Sequence, residues 1–112
     1  MEKIFITIVG QRHYFGMKPF KVDGTVKLVK EYDNECDCEA IRVELPYIET
    51  IGYVANSSHT VFDGTNSAGR IYDKIGDFAY AKVCFITHSS VIAEIISPEH
   101  APLPVSYDEI LF

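Results

Sequence analysis

The sequence predicts a mostly β protein, a small barrel or strongly curved sheet with one or two short helices. Three observations carry this. Short runs of alternating apolar and polar residues recur with β-branched and aromatic enrichment, turn signals separate them, and a single segment with helical spacing follows the fourth run. At 112 residues the chain suits one domain, with a core over about 3–97 and a tail over 98–112.

"KIFITIVG" (3–10) is β-branched and aromatic and ends at Gly10, which predicts a first strand. "QRHYFGMKPF" (11–20) is polar and aromatic, punctuated by Gly16 and Pro19, and reads as a loop. After the Asp23-Gly24 turn signal, "TVKLVKEY" (25–32) alternates Val26 and Leu28 with Lys27 and Lys30, a second strand. "AIRVEL" (40–45) alternates as a third, which Pro46 ends or marks as an edge. "TIGYVA" (50–55) is a fourth, where Gly52 implies a bulge or a close backbone approach.

Thr65, Asn66 and Ser67 are candidate N-caps for a helix over about 66–75, with Ala68, Ile71, Tyr72 and Ile75 at helical spacing and Gly76 as a stop. "FAYAKVCFIT" (78–87) and "SSVIAEIIS" (89–97) predict two more strands, joined as a hairpin through His88-Ser89-Ser90. The tail "PEHAPLPVSYDEILF" is proline-rich and is expected to run over the surface, with Ile110, Leu111 and Phe112 free to dock. A helix inserted after the fourth strand of a small barrel is an OB-like layout.

Composition restricts function more gently. No apolar run approaches the ~20 residues of a membrane helix, and the N-terminus lacks the pattern of a signal peptide. Three cysteines fit a reducing compartment better than a disulfide framework, so a cytoplasmic location with no membrane partner is expected. The net charge of −6 opposes nucleic-acid binding as a whole. Yet Arg12, Lys18, Lys21, Lys27 and Lys30 face only Asp23 over residues 12–30, and Glu31, Asp33, Glu35, Asp37 and Glu39 follow without a base. Two surfaces of opposite sign are therefore expected.

"EYDNECDCEAIRV" (31–43) invites a metal reading through Cys36 and Cys38, but the ligand rules fail. Structural zinc sites space cysteines C-x₂₋₄-C with a second pair, and a calcium loop needs oxygen donors where this stretch has cysteine. "GTNSAGR" (64–70) has phosphate-loop glycine spacing without the required Lys-Ser/Thr, which excludes nucleotide hydrolysis and leaves a simple phosphate contact at a helix start open. No nucleophile elbow or Cys-His pair marks catalysis, so neither an enzyme nor a cofactor is expected. "RHY" at 12–14, followed by Phe15, differs in kind: arginine grips phosphate and rings stack bases, although Tyr14 and Phe15 suit equally well a plug at one end of the barrel.

"VGQRHYFG", "VKLVKE", "YDNECDCEAIRV" and "IGYVANS" in that order resemble the HIRAN domain, found at the N-terminus of some fork-remodelling helicases and as stand-alone bacterial proteins. Asn34, Asp37, Ala40, Ile41 and Val43 match the family's N-x-x-D-x-x-A-I-x-V turn, and Gly52, Tyr53 and Val54 its G-[YH]-[VIL] strand. The resemblance implies an OB-like barrel that binds single-stranded DNA non-catalytically, especially its 3′ end, in the company of a DNA-repair or replication protein. By resemblance, Arg12 takes a phosphate, His13 or Tyr14 stacks the terminal base, and Asn34 shapes the turn. Asp37 accepts from the terminal hydroxyl, and the family's later strand contributes Tyr53 to the binding residues. Glu35-Cys36 replaces the family's Pro-aromatic, and Asn56 stands where a base would help hold phosphate, so affinity is expected to be weak or lost. The alternative is a protein-interaction module that keeps the fold and offers its acidic turn to a basic partner.

Overall fold

Alternating side chains along six segments close into one antiparallel barrel. In the computed structural model, which describes residues 3–45 and 48–96, the strands are β1 (Phe5–Val9), β2 (Thr25–Lys30), β3 (Ile41–Leu45), β4 (Ile48–Val54), β5 (Phe78–Ile86) and β6 (Val91–Ile96). They are ordered β1-β4-β3-β2-β5-β6, and β6 pairs back onto β1. The expected mostly-β barrel is therefore what forms, with six strands where an OB barrel has five. The hairpin through residues 88–90 forms as expected, with the Thr87 and Ser90 backbones paired and the Thr87 Oγ1 accepting from Ser90 N at 3.0 Å.

Period-two alternation decides which side chains enter. Val26 and Leu28 on β2, Ile41 and Val43 on β3, Ala79, Ala81 and Val83 on β5 and Val91 and Ala93 on β6 fill the interior. Alanines at three of these positions leave room for the larger Ile6, Ile8, Leu28 and Ile41 at full burial. Gly52 is a close approach: a Cβ there would lie 3.0 Å from both Ile8 Cγ2 and the Val9 carbonyl. Without a side chain, β4 comes close to β1.

The segment between β4 and β5 straps the outside of β1. Asn66 N donates to Phe5 O at 2.7 Å, and Thr7, which points outward, is buried beneath it with its hydroxyl 2.8 Å from Thr65 Oγ1. The helix expected over 66–75 is shorter than its periodicity suggests. α1 spans Ala68–Ile71, and a 3-10 turn, Tyr72–Lys74, continues it. Ser67 caps it, its Oγ accepting from Arg70 N at 3.2 Å. Gly69, Ile71 and Tyr72 are weak helix formers, and one turn is what remains. The tail beyond 97, and Pro46, lie outside the described residues.

Candidate nucleic-acid interface

Two loops and one strand meet at one end of β4. The first follows β1: Gly10 adopts φ 80°, a left-handed turn that suits glycine, and releases the chain into a 3-10 turn, Gln11–His13. Gln11 anchors it by burial, with Nε2 donating to Ile8 O at 2.8 Å. Arg12, His13, Tyr14 and Phe15 are all exposed, Tyr14 at 43% and Phe15 at 55%. Those exposures remove the barrel-plug reading. Phe20, further along the loop, enters the core instead.

The second is the turn before β3. Asn34 Oδ1 accepts from the Cys36 and Asp37 amides at 2.9 Å each, an Asx turn that satisfies donors no strand would take. Asp37 Oδ1 accepts from Glu39 N at 2.9 Å, and Ala40 N donates to Asp37 O, launching β3. The spacing N-x-x-D is thus a local backbone-capping device before it is anything else.

Glu31 joins the pieces. Its Oε1 accepts from Asn34 Nδ2 at 3.0 Å and its Oε2 from the Tyr53 hydroxyl at 2.7 Å, while Arg42 Nη1 lies 3.8 Å away. Tyr53 in turn packs against Tyr14, ring centroids 6.2 Å apart and planes tilted by 41°. Partial burial, the Glu31 carboxylate and the Tyr14 hydroxyl push the Tyr53 phenol pKa well above its ordinary 10. The chain of contacts Tyr14–Tyr53–Glu31–Asn34–Asp37 links four of the six residues singled out by sequence. Arg12 and His13 stand at the start of it, on the same loop as Tyr14.

Asp37 and Asn56 differ from their sequence reading. One Asp37 oxygen is committed to the turn, so only Oδ2 is left to face a ligand, with Asn56 Nδ2 at 3.4 Å. Asn56 is less a missing base than a bridge. Its Nδ2 faces Asp37 and Glu39, and its Oδ1 accepts from Gly69 N at 2.8 Å, tying the turn to the start of α1. The same contacts close the phosphate site left open at "GTNSAGR". The Ala68, Gly69 and Arg70 amides donate to Ala55 O, Asn56 Oδ1 and Ser67, so these three are not free for a phosphate. Glu31 was not singled out by sequence. Only its position before the Asn34 turn pointed to it.

The HIRAN domain family model matches residues 1–63. That stretch holds β1 to β4 and both loops of the interface, whereas α1, β5 and β6 lie beyond it. No curated protein and no solved structure matches the chain. Among the described residues no helix is long and apolar enough to cross a membrane. The chain belongs to the HIRAN domain family, whose members are nucleic-acid-binding domains.

Proposed function

We propose that this HIRAN domain binds single-stranded DNA without catalysis and grips its 3′ end between the loop of Arg12, His13 and Tyr14 and the turn of Asn34 and Asp37. The observation that carries the reading is the contact chain from Tyr14 through Tyr53 and Glu31 to Asn34, which ties the loop of the exposed ring and cation to the turn that bears Asp37. In this reading Arg12 takes a phosphate as a charge-assisted donor. Tyr14, steadied by Tyr53, stacks the last base, a contact worth about 1–3 kcal/mol. Asp37 Oδ2 accepts from the terminal 3′-hydroxyl. An internal phosphodiester or a 3′-phosphate brings no donor and a like charge, so the carboxylate discriminates by repulsion as well as by attraction.

The test is fluorescence anisotropy with a short strand ending in a 3′-hydroxyl or a 3′-phosphate, at two salt concentrations. Tighter binding of the hydroxyl end is expected. No preference between the two ends sinks end recognition. A second reading has an observation of its own: an open groove of about 450 Å³ is lined by Glu31, Glu44 and Glu49 with Arg42. Arg42 is already paired with Glu31 and with Glu44, the latter at 3.0 Å, so the groove is net acidic and suits a basic protein segment. Binding of a basic peptide with no binding of either strand would favour this module role.

A further inference from the structure

The barrel carries a second cation–aromatic surface, outside the interface described above. Cross-strand register places it. On β2 and β5, Lys27 stands opposite Tyr80, Thr25 opposite Lys82 and Val29 opposite Phe78. These alternate with the inward Val26, Leu28, Ala79 and Ala81, so Lys27, Phe78, Tyr80 and Lys82 share the outer face of two neighbouring strands. Phe78 leaves 47% of its surface exposed. Its ring meets Tyr80 edge-on with centroids 5.8 Å apart, and the Lys27 ammonium lies 4.5 Å from its centroid.

We propose that this strip is a second contact for single-stranded nucleic acid, with bases stacking on Phe78 and Tyr80 and phosphates meeting Lys27 and Lys82. Three features favour a single strand over other occupants. Neither lysine lies within ion-pair distance of a carboxylate among the described residues, whereas nearby Arg42 holds two, so these charges remain available. Glu44 opposite Lys27 on β3 and Glu94 opposite Lys82 on β6 border the strip, confining the positive charge to two strands. At about 4.8 Å between strands, such a strip accommodates one phosphate backbone between acidic margins and repels the second backbone of a duplex. An exposed Phe78 ring beside a half-buried Tyr80 accepts any base, because every base has a π face.

The competing account is that Lys27 and Phe78 only decorate the sheet as a surface cation–π pair. It predicts an effect on stability and none on binding. The strip also stands apart from the end grip: in the cross-strand row Tyr53, Arg42, Val29, Phe78, two residues separate the two surfaces.

The experiment titrates the full chain with a fluorescent single strand of about twelve nucleotides, within the site sizes of OB-type barrels, blocked by a 3′-phosphate so that the Asp37 contact to a terminal hydroxyl cannot form. Wild type is expected to bind it, more weakly as salt rises. Phe78→Ala and Lys27→Ala are each expected to weaken that binding roughly five- to tenfold, the scale of one stacked base or one charge-assisted contact. Phe78→Leu, which keeps the bulk and removes the ring, guards against a folding artefact and is expected to match Phe78→Ala. The strip is overturned if wild type does not bind the blocked strand, or if the variants bind it as wild type does. A parallel titration with the 3′-hydroxyl strand separates the two sites. Loss of the hydroxyl preference with the Phe78 effect intact refutes only end recognition, and the reverse refutes only the strip.

Discussion

Replacing Glu31 by alanine tests the network that assembles the interface. The carboxylate accepts from the Tyr53 hydroxyl at 2.7 Å and from Asn34 Nδ2 at 3.0 Å, and only 15% of its side chain is exposed. Hydrogen bonds to a charged group contribute about 1.5–3 kcal/mol each in net terms, and the figure falls toward the low end where solvent reaches the site. The third partner, Arg42, sits at 3.8 Å, is a third exposed and keeps Glu44, so its loss adds under ~1 kcal/mol. Two weakened bonds and a weak ion pair give a loss of about 2–4 kcal/mol. Tyr53→Phe removes one bond and leaves Glu31 its other partners, so it should cost only about 1 kcal/mol. Urea unfolding of Glu31→Ala, Asn34→Ala and the double variant measures both the total and the coupling. A coupling of ~1 kcal/mol or more between Glu31 and Asn34 is expected for groups in direct contact. A loss below ~0.5 kcal/mol for Glu31→Ala, the level of an ordinary surface substitution, would refute the assignment of Glu31 as the hub. So would strict additivity with Asn34→Ala.

The remaining predictions concern the interface and the packing beneath it. Arg12→Ala should weaken binding of 3′-hydroxyl and 3′-phosphate strands alike, while Asp37→Ala should mainly erase the preference between them; anisotropy with both strands reads the two effects. Because Tyr53 is held protonated above its ordinary 10, the folded state retains a proton that the unfolded state releases above pH 10. Its contribution is therefore complete below pH 10 and is lost as pH rises past it, and Tyr53→Phe should flatten the alkaline fall in urea midpoint. Gly52→Ala should cost about 1–3 kcal/mol by thermal or urea unfolding, because its Cβ meets Ile8 and the Val9 carbonyl at 3.0 Å inside the barrel. Gly69→Ala meets the Glu39 carboxylate at 2.6 Å, the free end of a flexible side chain, and should change stability by under ~0.5 kcal/mol.

What the sequence disclosed follows from what is local. Strand existence is written in alternation, and Val26, Leu28, Ile41 and Val43 all point inward as their period-two spacing requires. The N-x-x-D turn is also local, since Asn34 serves amides two and three residues ahead. Long-range events were not legible. Nothing in "KEYD" says that Glu31 will meet Tyr53, 22 residues later, because that contact depends on β3 and β4 pairing Arg42 with Tyr53. Helix length was overread for a related reason. Periodicity over 66–75 registers which residues face the core, but not that the α-helical turn gives way to a 3-10 turn at Tyr72. The opposite signs read along the chain also do not form two separate faces. The Arg12 loop and the acidic turn are linked through Tyr14 and Tyr53, Lys27 sits on the β2 exterior, and Lys30 turns the other way to donate to Ile75 O at 3.0 Å.

This arrangement bears on how a chain of net charge −6 can serve a polyanion. Near the interface, much of the negative charge is already engaged within the fold. Glu31 is shared among Tyr53, Asn34 and Arg42, Asp37 spends one oxygen on a backbone amide, and Glu39 faces Asn56. Each hydrogen bond disperses charge that a phosphate would otherwise meet as repulsion. Asp33 and Glu35 stay exposed on the same turn, and Asp37 Oδ2, which takes no backbone amide, is an asset only toward a ligand that brings a donor. A terminal hydroxyl is the point on a DNA backbone that does so. A negative protein that recognises ends and not lengths needs few cations at the end itself and gains selectivity from its acids. It is the strip of Lys27 and Lys82, remote from that acid-lined turn, that would have to supply length-dependent affinity.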